Sequence, residues 1–292
     1  MHIQQHRFWT ILVSALTLAT LGWLLGTTQI AHADEITVCP AGPGTCDHAT
    51  IQEAVDAAQD GDVIKIAAGQ YIDLHIRPRQ DISATGHVTQ VVYISKSLTL
   101  RGGYTTSFTD PPDPIANPTI LDAGGGGRAV YITGAISPTL EGLQFTNGDA
   151  SGLGGGGSPG SVQDGGGGLY VITATATLSR CQAFSNTATM GGGVLLYRSD
   201  ATVANSRVFS NTATQNGGGV YLFESNAILY TDIITHNLAL NNGGGIYLDK
   251  SDATLSSNTI STNTADQYGG GAHLDSSAAK IIDNDWTANT AG

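Results

Sequence analysis

The chain has 292 residues, 39 of them Gly, with 12% charged residues and a formal net charge of −12. Twelve Lys+Arg against 24 Asp+Glu argue against nucleic acid or an anionic membrane surface as partner, and 40% hydrophobic residues with so few charges exclude disorder driven by charge. The Gly has no every-third-residue period, so collagen is excluded and a Gly-punctuated β protein remains.

In chain order, residues 1–33 read as a secretory signal. His2, His6 and Arg7 make a weakly basic start, Phe8 to Leu25 is mostly apolar and uncharged, and Ala31-His32-Ala33 supplies the small-x-small cleavage pattern. Residues 34–49 form an N-terminal segment in which Cys39 and Cys46, seven apart around Pro40 and Pro43, suit a local disulfide in an exported chain. No later stretch is apolar enough to span a membrane, so a secreted or cell-surface location is expected. Residues 50–292 read as one domain. Thr50 to Ala58 predicts a short amphipathic helix with Ile51, Ala54, Val55 and Ala58 on one face, followed by a strand at Val63-Ile64-Lys65-Ile66. Further strands are expected at 97–104 and 119–122, a loop at Pro111 to Pro118, and a long flexible loop at 148–168, which holds 11 of the 39 Gly.

The second half repeats. Gly-Gly-Gly recurs at 191–193, 217–219, 243–245 and 269–271, a step of 26, and Asn186, Asn211, Asn237, Asn263 and Asn289 recur with it. A period of 26 is too short for a propeller blade or a helical repeat and fits one coil of a β-solenoid. Val194, Val220, Ile246 and Ala272 align, as do Leu196, Leu222, Leu248 and Leu274 two residues on; both columns therefore face the core from one strand. Val203, Leu229, Leu255, Ile281 and Val208, Ile234, Ile260, Trp286 are further core columns, and Ala201, Ala227, Ala253 and Ala279 suit a corner. Three short strands per coil are expected, each pairing in parallel with its equivalent in the next coil. The Asn column is expected to bond up and down the stack, and Cys181 to be a small buried filler.

Phe184-Ser185-Asn186-Thr187-Ala188 followed by Gly191-Gly192-Gly193-Val194 resembles the repeats of right-handed parallel β-helix proteins, and is similar to the chlamydial polymorphic outer-membrane protein repeats with their GGA-[ILV] and F-x-x-N elements. The helix and strand after Thr50 resemble the amino-terminal cap of pectate-lyase-like β-helices. The resemblance implies an all-β, right-handed single-stranded parallel β-helix with a short capping helix. The polygalacturonase elements Asn-Thr-Asp, Asp-Asp, Gly-His-Gly and Arg-Ile-Lys of that superfamily do not occur. The chain stops in mid-repeat, which reads as truncation and leaves an open C-terminal edge for self-association.

Candidate chemistry lies on the outward positions after each Gly run. Tyr170, Tyr197, Tyr221, Phe223 and Tyr247 form an aromatic strip, expected to be exposed and to stack on sugars. Asp249, Asp275 and His273 at its end are the weak catalytic candidates: two carboxylates one coil apart suit a glycosidase pair, or a shared calcium ion. No other cofactor is expected. Arg198, Glu224 and Lys250 read as a charge ladder, and Asp200, Asn226 and Asp252 as a structural corner. The first functional expectation is a non-catalytic exported β-helix in adhesion or polysaccharide binding. The alternatives are a polysaccharide lyase or glycoside hydrolase, and a structural stalk.

Overall fold

The computed structural model describes residues 33–78, 86–156 and 163–292, so the expected signal lies outside the described residues except for Ala33. Among the described residues no helix is long and apolar enough to cross a membrane. From Ala33 onward the chain is one unit, a right-handed parallel β-solenoid.

The coil that runs from Val220 shows how the repeat is built. Val220–Phe223 is followed by Ile228–Tyr230, Ile233–Thr235 and Leu238–Ala239, and then by Gly243-Gly244-Gly245. Each strand pairs in parallel with its counterpart 26 residues later, Val220 with Ile246 and Leu222 with Leu248 among them. Stacked this way, the strands make four walls: a first sheet from Glu35–Val38 to Lys280–Ile282, a second from Gly69–Tyr71 to Asp285–Thr287, a third from His75–Pro78 to Ala272–Asp275, and a fourth from Thr187–Met190 to Thr290–Ala291. The fourth wall corrects the expectation of three strands per coil. Its strands are two to five residues long, too short for alternation to show in sequence.

The inward columns form one continuous core: Val194, Leu196, Val220, Leu222, Ile246 and Leu248 are all nearly inaccessible. The helix Ile51–Ala57 closes its N-terminal end, burying Ile51, Ala54 and Val55. Thr50 caps it by accepting from the Glu53 amide at 3.2 Å, and the Lys96 ammonium donates to the carbonyls of Val55, Asp56 and Ala58 at its other end. Cys39 and Cys46 are joined by a disulfide beside this cap, with Cα atoms 6.0 Å apart.

One kind of corner recurs. The residue after a strand adopts a left-handed conformation at Arg198, Glu224, Lys250 and Ser276 (φ 48, 47, 50 and 51°), and the next residue is a Ser that bonds along the stack. The Asn column does this as expected: each side-chain amide donates to the next Asn carbonyl oxygen at 3.0 Å from Asn186 to Asn289. The Gly runs serve close approach as much as reversal. A Cβ at Gly218 would stand 2.4 Å from the Leu238 carbonyl oxygen and 2.5 Å from that of Gly244. Of the long Gly-rich loop, the described ends are pinned. Gly155–Gly156 pairs antiparallel with Gln163–Asp164, and the fully buried Arg128 donates to the carbonyls of Gly154 and Gly165.

Candidate functional site

The strands of the third sheet turn alternate residues outward. Two outward columns result: Tyr170, Leu195, Tyr221, Tyr247, His273, and beside it Ile172, Tyr197, Phe223, Asp249, Asp275. All five expected aromatics fall in them, but the strip is not exposed. Tyr170 and Tyr197 are 1% accessible, Tyr221 2%, Tyr247 6% and Phe223 7%. With Tyr93, Tyr131, Leu195 and Met190 they form a second apolar cluster, separate from the core.

The rings also stack on one another rather than offering free faces. Tyr221 and Tyr247 lie 5.1 Å apart at 2°, and Tyr197 and Phe223 5.2 Å apart at 5°. Coil spacing imposes this: residues in register one coil apart are about 4.8 Å apart, close to the spacing of stacked rings. Within each stacked pair the facing sides are closed, and all five rings are buried, which corrects the expectation of a flat sugar-stacking platform.

Towards residue 275 the column becomes polar. His273 continues the stack on Tyr247 at 5.1 Å and 13° and is half-buried, with Tyr268 tilted against it at 6.2 Å. Asp249 is half-buried and Asp275 exposed, paired in register on neighbouring strands. The structure thus brings together all three catalytic candidates and one end of the strip. Each carboxylate accepts from a tyrosine one coil back: the Tyr221 hydroxyl donates to Asp249 at 3.1 Å and the Tyr247 hydroxyl to Asp275 at 3.3 Å. Burial, with the two carboxylates adding to it, pushes the Tyr247 hydroxyl up to about 12, so it stays a donor. Burial also raises the Asp249 carboxyl above its ordinary value, opposed by the Tyr221 hydrogen bond.

The flanking columns are structural. Arg198 pairs with Glu224 at 2.7 Å, whereas Lys250 lies over the Phe223 ring at 5.4 Å. Asp200, Asn226 and Asp252 each accept from the backbone amide one coil on. Cys181 is buried, and burial pushes its thiol up to about 12. A second ladder was not legible in sequence: Ser199, Ser225 and Ser251 are buried and each amide donates to the hydroxyl of the next Ser. Its period of 26 is present, yet Ser is too common in these coils to stand out.

Among solved structures, a pectin methylesterase from Aspergillus niger is similar at 13% identity, over 88% of this chain and 86% of that one, with a TM-score of 0.49. No curated protein matches. The family described as periplasmic copper-binding protein (NosD) matches residues 126–291, more than half of the chain and the whole of its regular repeat. The 26-residue coil with its Gly and Asn columns is thus the stretch that places the protein, and the chain belongs to the NosD family.

Proposed function

We propose that the protein is exported and binds a neutral polysaccharide on the outer column, where His273, Tyr247, Asp249 and Asp275 meet. One observation carries this reading: two carboxylates on neighbouring coils stand beside the half-buried His273 ring, which stacks on Tyr247. Carboxylates accept from vicinal sugar hydroxyls, and the ring supplies an apolar surface for the sugar's C–H face. The net charge of −12 disfavours a polyanionic chain. Retention of such a polymer outside the cell is adhesion in the simplest sense.

Copper enters only through the description of the family. A copper centre needs converging imidazole, thiolate or thioether donors. Among the described residues no three His, Cys, Asp or Glu side chains are placed to hold one metal ion, the Cys181 thiol is buried and protonated, and Met190 sits within the apolar outer cluster. These residues do not fit a copper centre, and no step is assigned to one. Asp249 and Asp275 remain the pair that a calcium ion would use.

Affinity electrophoresis in gels cast with soluble neutral polysaccharides tests the reading, with and without calcium. Retardation is expected for the native protein and should weaken about tenfold in Asp275→Asn and His273→Ala at unchanged melting temperature. Migration identical in every gel would refute it.

The raised carboxyl of Asp249 beside the exposed Asp275 favours a second reading, a glycoside hydrolase with an acid and a base on adjacent coils. It requires release of reducing ends, lost in Asp275→Asn.

A further inference from the structure

The corner between the first and second sheets carries a third ladder, made of Cys181, Ser206, Asp232, Asn258 and Asn284. The Cys181 amide donates to the Ser206 hydroxyl, the Ser206 amide to Asp232 Oδ1 at 2.7 Å, the Asp232 amide to Asn258 Oδ1 at 2.9 Å, and the Asn258 amide to Asn284 Oδ1. Four members are uncharged. Asp232 is the exception, and it is 1% accessible.

Its second oxygen has no hydrogen-bond partner among the described residues. The Asn members show what belongs at that position. Asn258 Nδ2 donates to the Leu229 carbonyl and Asn284 Nδ2 to the Leu255 carbonyl, each 29 residues back. For Asp232 the equivalent acceptor is the Val203 carbonyl. An ionised Oδ2 would set oxygen against oxygen there, out of reach of water. A protonated Oδ2 donates to Val203 and reproduces the amide.

Among the described residues no cation lies close enough to relieve the charge. Ser206 and Asn258 flank Asp232 along the stack, and the coil above, 254–261, has no ionisable side chain. On the coil below, Arg207 is exposed and lies over the Phe209 ring. On its own coil the ionisable neighbours are the exposed Tyr230 and, past the next strand, His236, whose ring bonds Thr235. Asp283 and Asp285 are two coils above and exposed.

We propose that Asp232 is a protonated, neutral rung of this ladder, and that its ionisation loosens the coil that holds it, so that the stack weakens as pH rises. Burial supports this by raising the carboxyl to about 7, against the opposing hydrogen bonds of the Ser206 and Tyr230 backbone. The folded value lies above the unfolded one. The stabilisation is therefore complete below the ordinary carboxylate range and is lost as pH rises through about 7. An exported protein meets that window, and the residue makes the order of one coil depend on it.

Thermal unfolding between pH 5 and pH 8 tests the proposal in the full chain, its Asp232→Asn variant, and Asp252→Asn as an exposed carboxylate control. The native protein is expected to lose several degrees more than Asp232→Asn over this interval, the variant being more stable than native at pH 8, and Asp252→Asn should follow the native slope. Equal slopes for native and Asp232→Asn would overturn it. Infrared difference spectra of the native protein give an independent reading: a protonated-carboxyl band at pH 5 must fade as pH rises through 7. Absence of that band at pH 5 would overturn the proposal even if the variant failed to fold.

Discussion

Asn237 shows how much one residue of the repeat does. Its Nδ2 donates to the Val208 carbonyl and to Asn263, and its Oδ1 accepts from both the amide and the side chain of Asn211. Asn237→Ala would strand several buried groups at once, and we expect a loss of about 3 kcal/mol or more in urea unfolding. Gly218→Ala should be at least as damaging, because the added Cβ meets two carbonyl oxygens of neighbouring coils below 3 Å, whereas Gly124→Ala enters open space and should lose only about 1–2 kcal/mol for its positive φ. Cys181 should resist a thiol reagent at pH 8 in the folded protein and react fully once unfolded; prompt labelling of the native protein would contradict its burial. The Asn and Gly columns were legible in the sequence because rare or tripled residues at a fixed step leave little room for chance. The role of Asp232 was not, since in a chain with 24 acidic residues nothing but burial marks it out.

At the scale of the element, inward and outward alternation placed the core columns correctly up to Ile260, while their members Leu274, Ile281 and Trp286 are exposed, and the cap helix follows from Thr50 and its apolar face. The fourth wall is not legible because strands as short as Leu238–Ala239 and Thr264–Ala265 show no alternation. The state of the aromatic strip escaped for a different reason. Sequence says which side of a strand a ring leaves from, but not that rings one coil apart cover one another's faces. The described ends of the Gly-rich loop are held partly by Arg128, whose guanidinium donates to the Gly154 and Gly165 carbonyls and also lies over the Tyr170 ring at 5.2 Å. Arg128→Met should leave the coils intact and make the 148–168 loop markedly more sensitive to limited proteolysis, read by mass spectrometry of the first cut. An unchanged cleavage pattern would show that the loop is held by other contacts.

For the whole molecule, the two compositional oddities have one cause. Every residue of a coil stacks near its own copy, so ladders favour neutral Asn, Ser and Thr, and Gly occupies the points where backbones meet. The acidic surplus that remains is a property of the exposed surface, and at the end of the outer column it takes the form of two adjacent carboxylates beside a ring. That arrangement, with the chain's negative field, is the reason for proposing a neutral polymer as ligand. A glycan array displaying neutral and polyanionic chains side by side tests this most directly. Binding to a set of neutral glycans is expected, lost in Asp275→Asn, with no signal on polyanionic ones; a blank array, or binding confined to polyanions, would refute a neutral ligand.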